Sequence, residues 1–228
     1  MTGYMISDLL IIISIVISLG AQLFINSSYS KNKKIKNKNG ISGFEVAKKI
    51  LEKHGLDNIY VTEVRGNLTD HYDSSRKVIR LSTEIFHGDS IASASVAAHE
   101  VGHAIQDKEN YGFMRFRETM FPLVKISSYG GYFAILIGII FGIVNLLWLG
   151  IGLEIIILFF QIVTLPVEFD ASRRAEKELE ECGILNSDEL KNSKSMLKAA
   201  AMTYVASVLT TILQILRLIA ITSGRRRN

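Results

Sequence analysis

"VKISSYGGYFAILIGIIFGIVNLLWLGIGLEIIILFFQIVTLP", residues 124–166, decides the fold. Lys125 and Glu154 are its only charged residues. A helix crosses the hydrocarbon core of a bilayer in about 20 apolar residues. The stretch is therefore too long for one crossing and suits a tight hairpin of two, with its turn expected near Asn145 to Gly152. The two prolines of the chain, Pro122 and Pro166, border it.

The flanks repeat the theme. "LLIIISIVISLGAQLFI", residues 9–25, is long enough to span. No basic residue precedes it and no small-residue cleavage site follows it, so it reads as a retained anchor and not a removed signal peptide. "KNKKIKNK", residues 31–38, lies directly behind it and argues for an outside N-terminus and a cytosolic continuation. "AAAMTYVASVLTTILQILRLIAITSG", residues 199–224, is a final apolar helix interrupted by Gln214 and Arg217. If it spans, the closing "RRR", residues 225–227, lies outside, against the positive-inside trend; a helix lodged in the interface is the other option, and a span is favoured.

Composition agrees with a membrane protein carrying polar insertions. Apolar residues make up 48% of the chain, while its charge gathers in particular segments. The formal net charge is +4, and the excess sits beside apolar runs. Such runs meet anionic lipid headgroups, so lipids are the expected contact and nucleic acid is not. A single cysteine, Cys182, excludes an internal disulfide.

Between the anchor and the hairpin, residues 40–122 are polar. "SGFEVAKKILEKHG" predicts an amphipathic helix capped by Ser42 and stopped by Gly55. "NIYVTEV" and "RKVIRLS" alternate and read as short strands, with the turn-rich "RGNLTDHYDSS" between them. "DSIASASVAAHEVGHAIQDKE" predicts a helix starting at Asp89 or Ser90.

That helix carries HExxH. His99 and His103 are one turn apart and project from one face, so their nitrogens can share one tetrahedral metal. Glu100 is rotated by about a hundred degrees, beside the metal, where it can take the proton of a water the metal polarises and return it to a leaving amine. A chance HExxH in a chain this long occurs on the order of once in a hundred sequences. Gly102 costs a helix about 1 kcal/mol relative to alanine and is best explained by close packing or access beside a site.

Catalytic zinc takes three protein ligands and leaves one position for water. His54 and His87 have simpler explanations, at a helix end and on the surface. His71, in "LTDHYD", is a competitor as ligand or substrate contact. Glu168 is the stronger candidate. It follows directly on the apolar run, where an unpaired carboxylate is costly, and a hairpin across 124–166 returns it to the side of His99 and His103.

"LTDHYD", "AAHEVGHAIQ", "TLPVEFDASRRA" and "AAAMTYVAS" together resemble the YugP-like family of membrane zinc metallopeptidases, over nearly the whole chain and in order. The resemblance implies a zincin anchored in the bacterial plasma membrane, with Zn2+ held by His99, His103 and Glu168 and with Glu100 as catalytic acid and base. A more distant similarity is to the HtpX and CAAX-prenyl-protease type, in which an aspartate follows the ligand glutamate by four residues. Here that position is Ser172, and the nearest aspartate is Asp170. Asp170 can orient a ligand histidine from another angle, or pair with Arg173 or Arg174.

The expected architecture is a mainly α membrane protein: transmembrane helices plus a small α+β, zincin-like cytosolic portion. Its parts are an anchor (1–25), a cytosolic portion with the HExxH helix (26–122), a transmembrane hairpin (123–167), a charged helical segment with the third ligand (168–198), and a C-terminal membrane helix with basic tail (199–228). The expected function is a multi-pass, membrane-bound metallopeptidase with a cytosolic site, acting on peptides or membrane proteins near the bilayer. Strand 77–82, if exposed, is placed to pair with an extended substrate, and Arg173, Tyr72 or Tyr204 to stabilise an oxyanion. The alternatives are a catalytically silent zinc-bearing scaffold, which has no need of Glu100, and a transporter, for which Glu154 and Arg217 are the only obvious residues.

Overall fold

The computed structural model describes residues 2–225, with side chains from 5 to 223; the side chains of the basic run 225–227 lie outside the described residues. The chain is mostly helical, in the order α1 (Thr2–Lys33), α2 (Gly43–Lys53), β1 (Tyr60–Val64), β2 (His71–Asp73), β3 (Val78–Ser82), α3 (Thr83–His87), α4 (Ile91–Lys108), α5 (Gly112–Ile140), α6 (Val144–Glu181) and α7 (Ser187–Arg225). It forms two compact units. One takes the described residues up to Gln22, Arg115–Leu165 and those from Met202 on; the other takes Leu23–Met114 and Pro166–Ala201.

The first unit is helical. Among the described residues, four helices are long and apolar enough to cross a membrane: Met5–Lys33, Gly112–Ile140, Val144–Glu181 and Ser187–Ser223. Leu9, Ile12, Val16 and Leu19 form an exposed stripe on α1, which a lipid tail covers at no cost and water does not. The hairpin of α5 and α6 is present, but its turn falls at residues 141–143, with Gly142 at φ +70°, and not at Asn145 to Gly152. The glycines have another use. A Cβ on Gly138 would sit 2.8 Å from Leu147 Cδ2, and one on Gly150 would collide with the Ile135 side chain, so both let the two helices approach closely. Arg217 is not left bare in its apolar helix: its guanidinium donates to Ser7 Oγ and Gln214 Oε1, each at 3.3 Å.

The second unit has a core of its own. Val46, Ala47, Ile50 and Leu51 form the buried stripe of α2. Ser42 caps that helix in a capping box: Ser42 Oγ accepts from the Glu45 N–H and Glu45 Oε2 from the Ser42 N–H. The sheet order is β1-β3-β2, with β1 parallel and β2 antiparallel to β3. β3 is thus the central strand, paired on both sides, and cannot offer the free edge that strand 77–82 was expected to present. β2 lies inside the segment read as turn; three polar-flanked residues are too few to show a period of two.

The charged segment after the hairpin is not a separate helix. α6 runs unbroken through Pro166. A proline removes one helix bond and crowds the carbonyl four residues back, yet Val167, Ala171, Ala175 and Leu179 form a fully buried stripe that holds the next turns in place. α7 likewise begins well before residue 199. Asn186 Oδ1 accepts from the N–H groups of Asp188 and Glu189 at 3.0 Å each, while the Asn186 N–H donates to Glu189 Oε2 at 2.8 Å. The lysine run is partly neutralised by its own chain, since Lys33 pairs with Glu84 and Lys36 with Asp89.

Candidate metal centre

α4 starts where Ser90 Oγ accepts from the Ser93 N–H, at 3.0 Å. Buried Ala92, Ala94, Ala97, Ala98 and Ala104 keep the helix slim, and neighbouring elements close around it. His99 and His103 sit one turn apart with ring centroids separated by 4.8 Å. α6 supplies the third group: Glu168 Oε2 lies 3.4 Å from His99 Nε2 and 3.7 Å from His103 Nε2. One ligand atom from each of the three residues falls within 4.8 Å of the other two. Gly102 makes the approach possible. A Cβ there would stand 2.7 Å from the Ala171 carbonyl oxygen, so any side chain would push α6, and Glu168 with it, away from α4.

Behind the imidazoles lies a second set of contacts. His103 Nδ1 is 3.0 Å from Gln106 Oε1. Gln106 Nε2 donates to the Val167 carbonyl at 2.8 Å and to Asp170 Oδ2 at 2.9 Å. Asp170 is also gripped by Arg173 and by Arg174 Nε, and Arg174 reaches on to Glu109. His99 Nδ1 lies 3.3 Å from Ser172 Oγ. Asp170 thus reaches one histidine through Gln106, and Ser172 faces the other directly. Sequence reasoning missed Gln106 as a partner. The signal was present, because it lies three residues after His103 and so on the same helical face.

Glu100 is buried beside this group. Its carboxyl is pushed up to about 7, first by burial and further by the nearby carboxylates of Glu168 and Asp70, while His99 and the donated Tyr72 backbone N–H act in the other direction.

The residues of "LTDHYD" build β2. His71 is exposed, with Nδ1 2.8 Å from the Thr69 carbonyl and Nε2 3.3 Å from Arg80 Nη1. Asp70 accepts from the Ser82 N–H at 2.6 Å, and its carboxyl is raised by burial. Asp73 accepts from Ser75 Oγ and from Arg80, which hold its carboxyl well below the usual range. Of the oxyanion candidates, the Tyr72 hydroxyl donates to Asp107 at 2.6 Å and Arg173 to Asp170, while Tyr204 belongs to the other unit.

Two imidazole nitrogens and one carboxylate, converging in a buried place, suit a divalent cation of zinc's preference for nitrogen and oxygen donors and leave a fourth position for water. Among the described residues this is the one grouping of three His, Cys, Asp or Glu side chains with such geometry. The carboxylate also explains itself this way, since burying a charge is costly unless a cation pairs with it.

A family model described as "Putative neutral zinc metallopeptidase" matches residues 7–223. The chain is 41% identical over 220 residues to the "Putative membrane protease YugP" of Bacillus subtilis (strain 168), covering 96% of this chain and 98% of that protein. No solved structure matches. With the match spanning both units, the chain belongs to the family of the "Putative neutral zinc metallopeptidase" model.

Proposed function

We propose that this protein is a membrane-bound zinc metallopeptidase that hydrolyses peptide bonds with Glu100 as general base and acid. The observation that carries the reading is the convergence of His99, His103 and Glu168 beside the buried Glu100. His99, His103 and Glu168 would hold the zinc, which supplies Lewis acidity, lowering the pKa of a water and polarising a carbonyl. Glu100 then takes the proton from the attacking water and delivers it to the departing amine. Its raised carboxyl suits both tasks near neutral pH, because a group with a pKa close to ambient accepts and releases a proton with little penalty. A HExxH helix packed against a small sheet supports a zincin-like description of the second unit.

The lysine run after α1 supports a cytosolic site in a bacterial plasma membrane. The site lies on a chain with four candidate spans, which favours membrane proteins, or peptides near the bilayer surface, as substrates. Zinc content after dialysis against a mild chelator tests the ligand set. Glu168→Ala should lose both zinc and cleavage, whereas His71→Ala should stay loaded. An empty His71→Ala with a loaded Glu168→Ala would move the third ligand into "LTDHYD".

A further inference from the structure

We infer that Gln106, backed by Asp170, is the positioning residue that sets the tautomer of His103. The inference rests on the metal reading above only for its second measurement. Several groups around His103 have hydrogen-bonding roles that allow no choice. The Val167 carbonyl can only accept a hydrogen bond. It lies 2.8 Å from one end of the Gln106 amide, which must therefore be the NH2 end. The same NH2 group meets Asp170 Oδ2 at 2.9 Å. Arg174 Nε donates to that oxygen at 2.6 Å, and Arg173 donates to the other. Guanidinium groups only donate, so Asp170 is an acceptor on both oxygens. With its nitrogen fixed by two acceptors, Gln106 turns its carbonyl oxygen to His103 Nδ1 at 3.0 Å. An amide oxygen cannot donate. His103 Nδ1 must carry a proton, and in the neutral ring Nε2 then keeps its lone pair, on the side of Glu168, 3.7 Å away.

The consequence is specific. A ligand histidine must present a bare nitrogen, and many sites fix it with a carboxylate directly on the other nitrogen. Here the carboxylate stands one link further back. The amide passes on its polarity without placing a full negative charge on the imidazole, and two arginines balance the charge of Asp170. Gln106 is fully buried, so water cannot substitute for it. His99 lacks such a constraint, because its partner Ser172 Oγ can donate or accept. The two histidines of the motif are therefore fixed to different degrees, and His103 is the one held in the binding tautomer before any metal arrives.

The test uses the full chain in detergent. Nitrogen-15 spectra of metal-free protein labelled on histidine, with His103 assigned by a His103→Asn variant, report which ring nitrogen bears the proton. Wild type should show the Nδ1–H form at neutral pH, and Gln106→Leu should show a mixture. Zinc affinity, by competition with a chelator, should fall roughly 10–100-fold in Gln106→Leu. Wild-type His103 protonated on Nε2 overturns the inference, and that measurement stands even if a variant fails to fold. An unchanged tautomer in Gln106→Leu overturns it equally. Wild type that shows the Nδ1–H form yet binds no zinc would leave the tautomer assignment in place and sink the metallopeptidase reading instead.

Discussion

At the scale of single residues, Glu100 is the most exacting test of the chemistry. Glutamine is nearly isosteric and leaves both histidines untouched, but it cannot accept a proton. Glu100→Gln should keep its zinc and lose about 10²–10⁴-fold in peptide cleavage, and a metal-loaded variant with unchanged turnover would remove Glu100 from the mechanism. The same side chain makes a stability prediction for the metal-free protein. Burial pushes its carboxyl up to about 7 in the fold, against 4.5 when free. The folded state therefore holds this proton more tightly than the unfolded state. The burden on stability is absent below about pH 4.5, grows through the window up to about 7, and is complete above it. Chelator-treated Glu100→Gln should be more stable than chelator-treated wild type at pH 8, by on the order of 3 kcal/mol, and should match it at pH 4. Thermal unfolding of both proteins at the two pH values checks this, and an advantage that does not change with pH would contradict it.

At the scale of elements, the site depends on how closely α4 and α6 approach at Gly102. Two effects oppose each other in Gly102→Ala. The alanine gains about 1 kcal/mol of helix propensity. It also places a Cβ 2.7 Å from the backbone oxygen of Ala171, which no rotamer change can relieve; overpacking of that kind costs about 1–3 kcal/mol. The clash should win, so the variant should be less stable by about 1 kcal/mol and should bind zinc at least roughly 10-fold more weakly. Unfolding and chelator competition measure the two effects. A variant that is more stable and binds zinc normally would show that the helices are not in contact there.

At the scale of the whole molecule, the question is which side of the membrane carries the site. The lysine run predicts the cytosolic side, and α7 then carries its C-terminal end outward if it spans. Lys36→Cys and Ser187→Cys, each in a Cys182→Ser background, should resist a membrane-impermeant thiol reagent in intact cells and react after permeabilisation. Labelling of either from outside would invert the topology and place the site on the outer face.

Much of this architecture is written locally. Apolar runs of spanning length, the Ser42 capping box, the Ser90 cap and HExxH all act over a few residues, so one stretch of chain suffices to specify each. Where the chain turns and continues is not local in the same way. Gly150 reads as a turn residue until α5 is packed against it, and Pro166 reads as a helix end until the stripe from Val167 to Leu179 is buried around it. The grouping of Glu168 with His99 and His103 was legible as a topological consequence of the hairpin, because a carboxylate just beyond a second span must return to the side of the first. That β2 takes the sheet edge, that Asp170 meets Gln106 and not a histidine, and that Ser172 meets His99 were decided only by the tertiary structure. Each depends on sub-ångström placement between segments more than sixty residues apart or on the pairing of three-residue strands, and neither leaves a periodic trace in sequence.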